Sequence, residues 1–335
     1  MTVVEIPSGT HPAQGWLGGR FRLDERISSG DQVSESLGPC GSSWEARGLS
    51  LWKASDQLLG RPVTIHLLPP GIPVPRPVIE AVQSAAKVTD PRLATIYDTD
   101  FGPECPYIVS EWTPGTHLED LVLSGPFPPT LPHPALAAAM MADAADAIAV
   151  AHQAGRPHLR LTPRSLHWAP GSGLKITGLG LDAALSGATA DSASAAADTL
   201  ALARMLYALL TGYWPGDEAT AQPTAQYTAQ YTALPPAPRH KGSVCTPRQV
   251  RAGVPAILDA ITYRALHGQA ADAPLRAQTP AGLAMALRMV QRPSYQLDEA
   301  VAAPPVQVNQ SVLRRHARHA RSGLRHRTTL LRPAV

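Results

Sequence analysis

Cysteine and the aromatic residues are scarce in this chain of 335 residues, three of which are cysteine and 5 % of which are aromatic. Cys40, Cys105 and Cys245 stand far apart and form no C-x-x-C pair. This spacing excludes a disulfide framework and a cysteine-based zinc site, and it fits a reducing cytoplasm. Only 16 % of the residues are charged, while 44 % are hydrophobic. The composition therefore excludes a chain that is disordered throughout and predicts a folded body with a sizeable core.

The sequence lacks the pattern of a secretory signal and that of a membrane span. Its N-terminus has no basic start followed by an apolar stretch. The longest apolar region, residues 135–151, is interrupted by Asp143 and Asp146, which lie three residues apart. This pattern is typical of an alanine-rich helix with a solvated acidic face rather than of a transmembrane segment.

Acidic residues are absent after Glu299, whereas this last part of the chain is rich in arginine. The arginines are Arg314, Arg315, Arg318, Arg321, Arg325, Arg327 and Arg332. A basic segment of this kind is attracted to an anionic membrane surface, which we expect as one partner of the tail. It has no aromatic residue on which bases would stack, so we expect no nucleic-acid partner. A solvated tail without a ligand is the alternative.

The order of short apolar segments followed by helical patterns predicts the fold class. Strands are predicted where apolar or alternating residues lie between Gly, Pro and Asp, at 21–27, 50–54, 62–68 and 107–110. Helices are predicted from three- and four-residue apolar spacing, at 78–88, 135–154, 195–211, 254–266 and 280–290. We therefore expect an α+β protein in which a small β-rich lobe precedes a larger α-helical lobe.

The predicted elements and the stretches between them give the domain boundaries. We predict a flexible leader at 1–20, an N-lobe at 21–111, a C-lobe at 112–291 and a flexible basic tail at 292–335. A Thr-Ala-Gln-Tyr repeat followed by prolines indicates a disordered insertion within the C-lobe near 217–240. A stretch with four glycines between Ile27 and Leu51 indicates a second, loop-like insertion.

Five segments in this order resemble the bacterial Ser/Thr protein-kinase family over about residues 21–290. They are residues 50–68, 91–98, 107–115, 152–163 and 198–212. The resemblance implies a two-lobed protein-kinase-like fold whose lobes meet at a hinge formed by Ser110, Glu111, Trp112 and Thr113. It also implies that His158 and Asp198 brace the catalytic loop against the central helix of the C-lobe.

The resemblance places His66 where the third-strand motif V-A-I-K has its lysine, because the segment reads Val63-Thr-Ile-His66. That lysine holds nucleotide phosphates, whereas an imidazole is shorter and largely neutral near pH 7. The acidic partner on the following helix would be Glu80, although the spacing from Pro91 gives Ala81. Two interpretations of His66 stay open: a half-buried strand residue, and a phosphate-contacting or pH-sensitive one.

The catalytic-loop motif H-R-D-L-K-P-x-N is replaced here by His158-Leu-Arg-Leu-Thr-Pro-Arg-Ser165. The resemblance thus puts Arg160 at the acidic position, Thr162 at the lysine and Ser165 at the asparagine. Gly178 stands where the D-F-G motif has its metal-binding aspartate. An arginine is permanently cationic and cannot accept a proton. We therefore expect no catalytic residue, no metal site and no cofactor, with ATP binding left open.

Residues 206–215 and 241–255 resemble actinobacterial kinase-like proteins associated with the peptidoglycan-precursor flippase. This resemblance implies a cytoplasmic pseudokinase at the inner face of the membrane, acting as a regulatory or scaffolding module in cell-wall synthesis. Its implied partner is a forkhead-associated-domain protein or the flippase itself. Two alternatives stay open: a weak or unconventional ATP-binding Ser/Thr kinase, and a phosphate- or lipid-binding protein that acts through its tail.

Overall fold

The computed structural model describes residues 15–28, 49–123, 131–185, 187–191, 193–216, 232–267 and 278–290. The first lobe is a six-stranded antiparallel sheet with strand order β1-β2-β3-β4-β6-β5. Its elements are β1 (Trp16–Leu17), β2 (Phe21–Ser28), β3 (Ser50–Asp56), β4 (Arg61–Leu67), α1 (Arg76–Ala85), β5 (Ile96–Asp100) and β6 (Tyr107–Glu111). The helix α1 is the connection between β4 and β5.

Alternating burial along β4 explains how this sheet divides its two faces. Val63, Ile65 and Leu67 are buried and pack with apolar residues of β2 and β3 in one cluster. Thr64 and His66 lie half-buried on the opposite face. That face packs against α1, because Ile108, the partner of His66 across the ladder, belongs to a cluster with residues of α1. Period-two alternation is the expected pattern for a sheet with two chemically different faces.

The sheet begins earlier than the sequence indicates, so the predicted leader at 1–20 is too long. Trp16 and Leu17 pair with the start of β2, and Leu17 is only 2 % exposed. Gly18 and Gly19 have φ values of +55° and +66°, and this left-handed turn reverses the chain directly into β2. Residues 1–14 lie outside the described residues.

The second lobe consists mainly of helices and has two small sheets. Its helices are α2 (Leu118–Leu123), α3 (Pro134–Gln153), α4 (Leu181–Leu185), α5 (Ser194–Thr211), α6 (Pro247–Val250), α7 (Ala256–His267) and α8 (Pro280–Arg288). The strands β7 (Thr116–His117), β8 (Leu166–Ala169) and β9 (Gly173–Ile176) form one sheet, and β10 (Arg239–His240) pairs with β11 (Ser243–Val244). The main apolar cluster lies among α3, α5, α7 and α8.

The helix α3 is the centre of this lobe. Among the described residues it is the one helix long and apolar enough to cross a membrane by length and composition, yet 67 % of its most apolar stretch is buried inside the protein. Asp143 and Asp146 were predicted to form a solvated face, but both carboxylates contact the guanidinium of Arg288. Their side chains are still 42 % and 33 % exposed, so the acidic face is partly solvated and its pairs with α8 are surface ion pairs.

The predicted insertion at 217–240 is also shorter than expected. Residues 217–231 lie outside the described part of the chain, but the chain is in place from Thr232 onwards. Thr232 donates its hydroxyl and Ala233 its amide to the buried carboxylate of Glu119, each at 2.6 Å. The adjacent Leu234 is buried. These contacts fix the end of the insertion, and nothing in its repeat indicates them.

The other predicted strands and helices lie close to their predicted positions, and the two-lobed α+β architecture is confirmed. The strand β5, the short helices α2, α4 and α6 and the small sheets of the C-lobe were not predicted. The helix predicted at 78–88 begins two residues earlier and ends at Ala85. The glycine-containing stretch between Ile27 and Leu51 lies mostly outside the described residues, as does the basic tail.

Candidate functional site

The loop that follows α3 is held in place by one buried carboxylate. Asp198, on the second turn of α5 and 1 % exposed, accepts hydrogen bonds from the amides of His158 and Leu159, each at 2.7 Å. It also bonds to Nε2 of His152 at 2.8 Å, at the end of α3. One side chain thus connects the end of α3, the loop and α5.

The loop backbone is strained where Asp198 holds it. Leu159 has a φ of +62°, a conformation that residues with a Cβ rarely adopt. The buried ring of His158 reaches the carbonyl of Thr177 with Nε2 at 2.9 Å. A carbonyl only accepts, so Nε2 is the donor, while Nδ1 is buried with no hydrogen-bond partner. Such strain persists only where the surroundings determine it.

The polar side chains further along this loop bond to one another. Arg160 is half-buried next to the strained residue. Ser165 Oγ accepts from the amide of Thr162 at 3.2 Å and lies 3.2 Å from its hydroxyl. The carbonyl of Ser165 accepts from the amide of Thr177 at 2.9 Å. The structure thus brings Thr162 and Ser165 together in one turn, and Arg160 lies in the loop two residues before it.

Gly178 has a φ of +87°, and the space of a side chain there is taken by Asp182. A Cβ built on Gly178 would overlap the Asp182 carboxylate, which comes from the first turn of α4. The adjacent Leu179 is buried in the main cluster of the C-lobe. A carboxylate therefore reaches the position of Gly178 from four residues further along the chain.

The sequence left Glu80 and Ala81 as alternatives for the position on α1 that corresponds to the acidic partner of the third-strand residue. The Glu80 side chain is 65 % exposed and pairs with Arg76 one turn earlier on α1. The inward position is Ala81, whose carbonyl oxygen would lie 3.0 Å from a Cβ on Gly180. His66 itself is half-buried between β3 and β6, and desolvation lowers its pKa to about 4. The imidazole is therefore neutral near pH 7.

The predicted hinge residues are in contact with the N-lobe sheet. Ser110 pairs with Thr64 on β4, and the carbonyl of Glu111 accepts from the hydroxyls of Thr64 and Thr113 at 3.4 and 3.5 Å. Both distances are at the long limit for a hydrogen bond. The Trp112 ring lies 4.9 Å from the ammonium of Lys53 on β3.

An ion pair also joins the hinge to the C-lobe strand β9. The carboxylate of Glu111 lies 2.5 Å from Nζ of Lys175 on β9, and both side chains are about a quarter exposed or less. Its second oxygen accepts from the amide of Thr95 at 3.2 Å. The sequence does not indicate a role for Lys175, because a single lysine forms no distinctive motif.

Sequence reasoning also missed Glu119, the most enclosed carboxylate of α2. It is 1 % exposed and pairs with Arg164 of the loop, with Nη1 at 2.5 Å. The same carboxylate accepts from Thr232 and Ala233, 113 and 114 residues away. A glutamate in the first turn of a helix is ordinarily solvated there and favourable to the helix dipole. No local signal distinguishes this one.

Magnesium requires hard oxygen ligands, usually carboxylates. The nucleotide phosphates require a positively charged side chain. At the positions that the resemblance assigns to this task lie a guanidinium, two mutually bonded hydroxyls, a glycine and a neutral imidazole. Asp182 is a single carboxylate beside them. Among the described residues, no three His, Cys, Asp or Glu side chains converge as a metal site. These residues do not fit a magnesium–nucleotide site.

Comparison with known proteins gives relatives of one kind, while no family model matches the chain. Serine/threonine-protein kinase PknB of Mycobacterium leprae is 29 % identical over 189 residues, covering 48 % of this chain and 29 % of the relative. PknB of Mycobacterium tuberculosis is 28 % identical over 212 residues, covering 55 % and 31 %. PrkC of Bacillus subtilis is 27 % identical over 224 residues, covering 59 % and 33 %.

The chain is similar to bacterial serine/threonine protein kinases. Together with the antiparallel sheet, the single helix α1 and the helical second lobe, these relatives show a protein-kinase-like fold. The chain spans about a third or less of the length of these relatives. The likeness thus supports the fold and the kinase family, and the activity of this chain is a separate question.

Proposed function

We propose that this chain is a pseudokinase, a protein-kinase-like domain without phosphoryl transfer that acts as a regulatory or scaffolding module. One observation carries the proposal. Asp198 accepts hydrogen bonds from the amides of His158 and Leu159 in a strained loop. The next residue of this loop is Arg160. The loop geometry is kept, and a permanently cationic group occupies the place of a proton acceptor.

The chemistry of phosphoryl transfer supports this proposal. Catalysis there consists almost entirely of positioning and electrostatic stabilisation by a few charged groups and metal ions. His66 is neutral near pH 7, the hydroxyls of Thr162 and Ser165 bond to each other, and Gly178 has no side chain. Each of these positions therefore lacks the charge that the reaction needs.

The test is a radiolabelled autophosphorylation assay on the full chain with ATP and magnesium. We expect no transfer above that of a heat-denatured sample, and no difference between the chain and its His66→Ala variant. His66 is compared because it lies at the phosphate-binding position of the related kinases. Reproducible transfer that disappears in the variant would contradict the proposal.

The biological setting rests on the resemblance alone. We place the module at the cytoplasmic face of the membrane in the control of cell-wall synthesis. A forkhead-associated-domain protein or the peptidoglycan-precursor flippase would be its protein partner. Purified candidates tested by calorimetric titration should bind this chain, and absence of binding by both would remove this part of the proposal.

A weak or unconventional ATP-binding kinase is the second candidate, and Asp182 favours it. Its carboxylate occupies the side-chain space at Gly178 and would be a substitute metal ligand. A ligand that binds only the folded state raises the melting temperature. A rise with ATP that requires magnesium and is lost in Asp182→Asn would support this candidate, whereas no rise with ATP supports the first.

The basic tail leads to a third test. Each arginine near an anionic lipid surface contributes about 1 kcal/mol to binding. Sedimentation with vesicles containing phosphatidylglycerol should retain the full chain and lose a chain that ends at residue 311. Equal retention of both would exclude a role for the tail. The alternative of a lipid-binding protein predicts that the vesicles retain the full chain and lose the truncated one. It also predicts that ATP does not raise the melting temperature.

A further inference from the structure

The sheet of the N-lobe curls so that its first turn meets its last one. Arg20, in the turn between β1 and β2, reaches Asp98 on the edge strand β5, with Nη1 3.2 Å from the carboxylate. The rings of Phe21 and Tyr107 meet edge to face, with centroids 6.1 Å apart. A cavity of about 350 Å³ lies between the β1–β2 turn and the β5–β6 turn.

Apolar side chains form part of the cavity wall. Leu17, at the end of β1, is 2 % exposed, and Pro103 lies in the β5–β6 turn. The half-buried Cys105 also lines the cavity, and burial followed by the charge of Asp100 raises the pKa of its thiol. This thiol is therefore uncharged near pH 7. A concave site with apolar walls and a few polar groups is typical of small-molecule binding.

Tyr107 supplies a buried polar atom to this cavity. The residue is 8 % exposed, yet its hydroxyl has no hydrogen-bond partner in the described part of the chain. The hydroxyl lies 2.9 Å from the point where a Cβ on Gly18 would be, and both residues line the cavity. Buried tyrosine hydroxyls usually have a partner. This hydroxyl therefore faces the space that a ligand would fill, and it accepts or donates a hydrogen bond there.

Two exposed carboxylates lie at the opening of the cavity. Asp100 ends β5, and Glu104 lies in the β5–β6 turn. Oδ1 of Asp100 accepts from the amide of Gly102 at 2.8 Å, which orients the carboxylate and leaves Oδ2 for a ligand. Among the residues that the structure describes, neither carboxylate is paired with a cation. Burial followed by Asp100 also raises the pKa of Tyr107, so the negative charge acts on the cavity wall.

Arg20 does not neutralise this charge, although it lies close to Tyr107. Its guanidinium donates to the two oxygens of Asp56 at 2.9 and 2.7 Å and to Asp98 at 3.2 Å. One positive charge thus has two carboxylates of its own. The charges of Asp100 and Glu104 are left to attract a cationic ligand.

We propose that this cavity binds a small organic cation, an alkylguanidinium or alkylammonium ion. Such a cationic head has only hydrogen-bond donors, and it would lie between Asp100 and Glu104, whose carboxylates only accept. The hydroxyl of Tyr107 would accept a further hydrogen bond. The alkyl stem would pack against Leu17 and Pro103. The site lies on the N-lobe sheet and does not depend on whether the protein transfers phosphate.

The experiment is a calorimetric titration of the full chain with agmatine, which has a guanidinium and an ammonium group on one alkyl stem. Asp100→Asn and Glu104→Gln should each weaken binding by about tenfold, the loss expected for a hydrogen bond to a charged group. Tyr107→Phe should weaken it by about threefold or more, because a neutral hydrogen bond is lost. The matched control is Glu80→Gln, which changes an exposed carboxylate on α1.

A neutral probe of similar shape tests whether charge decides the binding. N-butylurea should bind at least about tenfold more weakly than agmatine, since it brings no charge to the two carboxylates. The proposal is wrong if the full chain does not bind agmatine or if it binds N-butylurea equally well. It is also wrong if Asp100→Asn and Glu104→Gln keep the affinity of the unmodified chain.

A measurement on the unmodified chain covers the case in which a variant does not fold. Cys105 lines the cavity, whereas Cys245 is a free, half-buried cysteine next to β11 in the C-lobe. Agmatine should slow the alkylation of Cys105 by N-ethylmaleimide and leave the rate at Cys245 unchanged, as located by mass spectrometry. An unchanged rate at Cys105, or equal slowing at both cysteines, would overturn the proposal.

Discussion

At the scale of single residues, the two least exposed carboxylates of the C-lobe have structural tasks. Asp198 accepts from His152, His158 and Leu159, and Glu119 accepts from three donors of its own. A buried ion is stable only when its hydrogen-bonding capacity is filled. Each of these side chains therefore joins segments that are far apart in the sequence, and neither needs a catalytic role to account for its burial.

Replacement of Asp198 by alanine should strongly destabilise the protein. Two backbone amides and one imidazole would be left without an acceptor, and the strained Leu159 would lose its support. We expect a loss of about 3–5 kcal/mol in the free energy of unfolding, measured by urea denaturation. The control Glu80→Ala removes only an exposed pair and should cost less than about 0.5 kcal/mol. Similar losses for both variants would refute the assigned role of Asp198.

His66 gives a prediction about pH. Its pKa is about 4 in the folded protein, against about 6.5 in an unfolded chain. Between these values the unfolded state binds more protons, so stability from this residue is complete above pH 6.5 and declines as the pH falls towards 4. His66→Gln should remove a dependence of about 1 kcal/mol per pH unit in that window. A profile that keeps its slope in His66→Gln would contradict this assignment.

Sequence reasoning succeeded for residues that follow a local pattern and failed for those fixed by distant contacts. His158 and Asp198 were singled out because a motif contains them, and the amide of His158 donates to Asp198 while its ring reaches the carbonyl of Thr177. Glu80 was chosen for its charge, but the helix turns it outward and leaves Ala81 facing the loop. The partners of Glu119 are more than 100 residues away, so no spacing rule reveals them.

At the scale of elements, α4 determines how the segment after Gly178 meets the N-lobe. Leu181 is buried among residues of α1 and β6, and Gly180 sits directly against α1. The sequence did not predict a helix here, because five residues are too few for a periodic pattern. The two-residue strand β1 escaped prediction for the same reason. The strands β2, β3, β4 and β6 were found, whereas the five-residue β5 was not, and its residues show no alternation of burial.

Gly180→Ala should separate α4 from α1. The new Cβ would overlap the side chain of Ala85, and φ is already +75°. We expect a loss of about 2–3 kcal/mol and faster hydrogen exchange in both helices. Gly187→Ala is a matched control with φ of +73° and open space around the new Cβ, so it should show only the backbone cost of about 1 kcal/mol. Equal exchange in the two variants would contradict the close contact.

At the scale of the whole molecule, several bonds join the lobes independently of any ligand. Leu93 and Ile176 form a parallel bridge in which Ile176 donates to Arg92 at 2.7 Å and accepts from Ala94 at 2.8 Å. Glu111 and Lys175 add an ion pair between the hinge and β9. These contacts fix the position of β9 against the hinge and against the segment that leads into β5. These contacts are non-local, and the sequence alone gave no sign of them.

This connection predicts that the lobes unfold as one unit. Leu93 is 2 % exposed and packs in the main cluster of the C-lobe, although it precedes the N-lobe strand β5. Leu93→Ala should therefore lower the stability of both lobes together by about 2–5 kcal/mol. Hydrogen exchange followed by mass spectrometry in increasing urea should give the same midpoint for peptides from β4 and from α5.

The comparison variant for this experiment is Leu58→Ala, because Leu58 lies in the turn after β3 and is 75 % exposed. It should leave both midpoints unchanged, since little apolar surface is removed from the interior. If β4 exchanges at lower urea than α5 in Leu93→Ala, the lobes unfold separately and the bridge does not couple them. Coincident midpoints that shift together would mean that the N-lobe depends on the C-lobe for its stability.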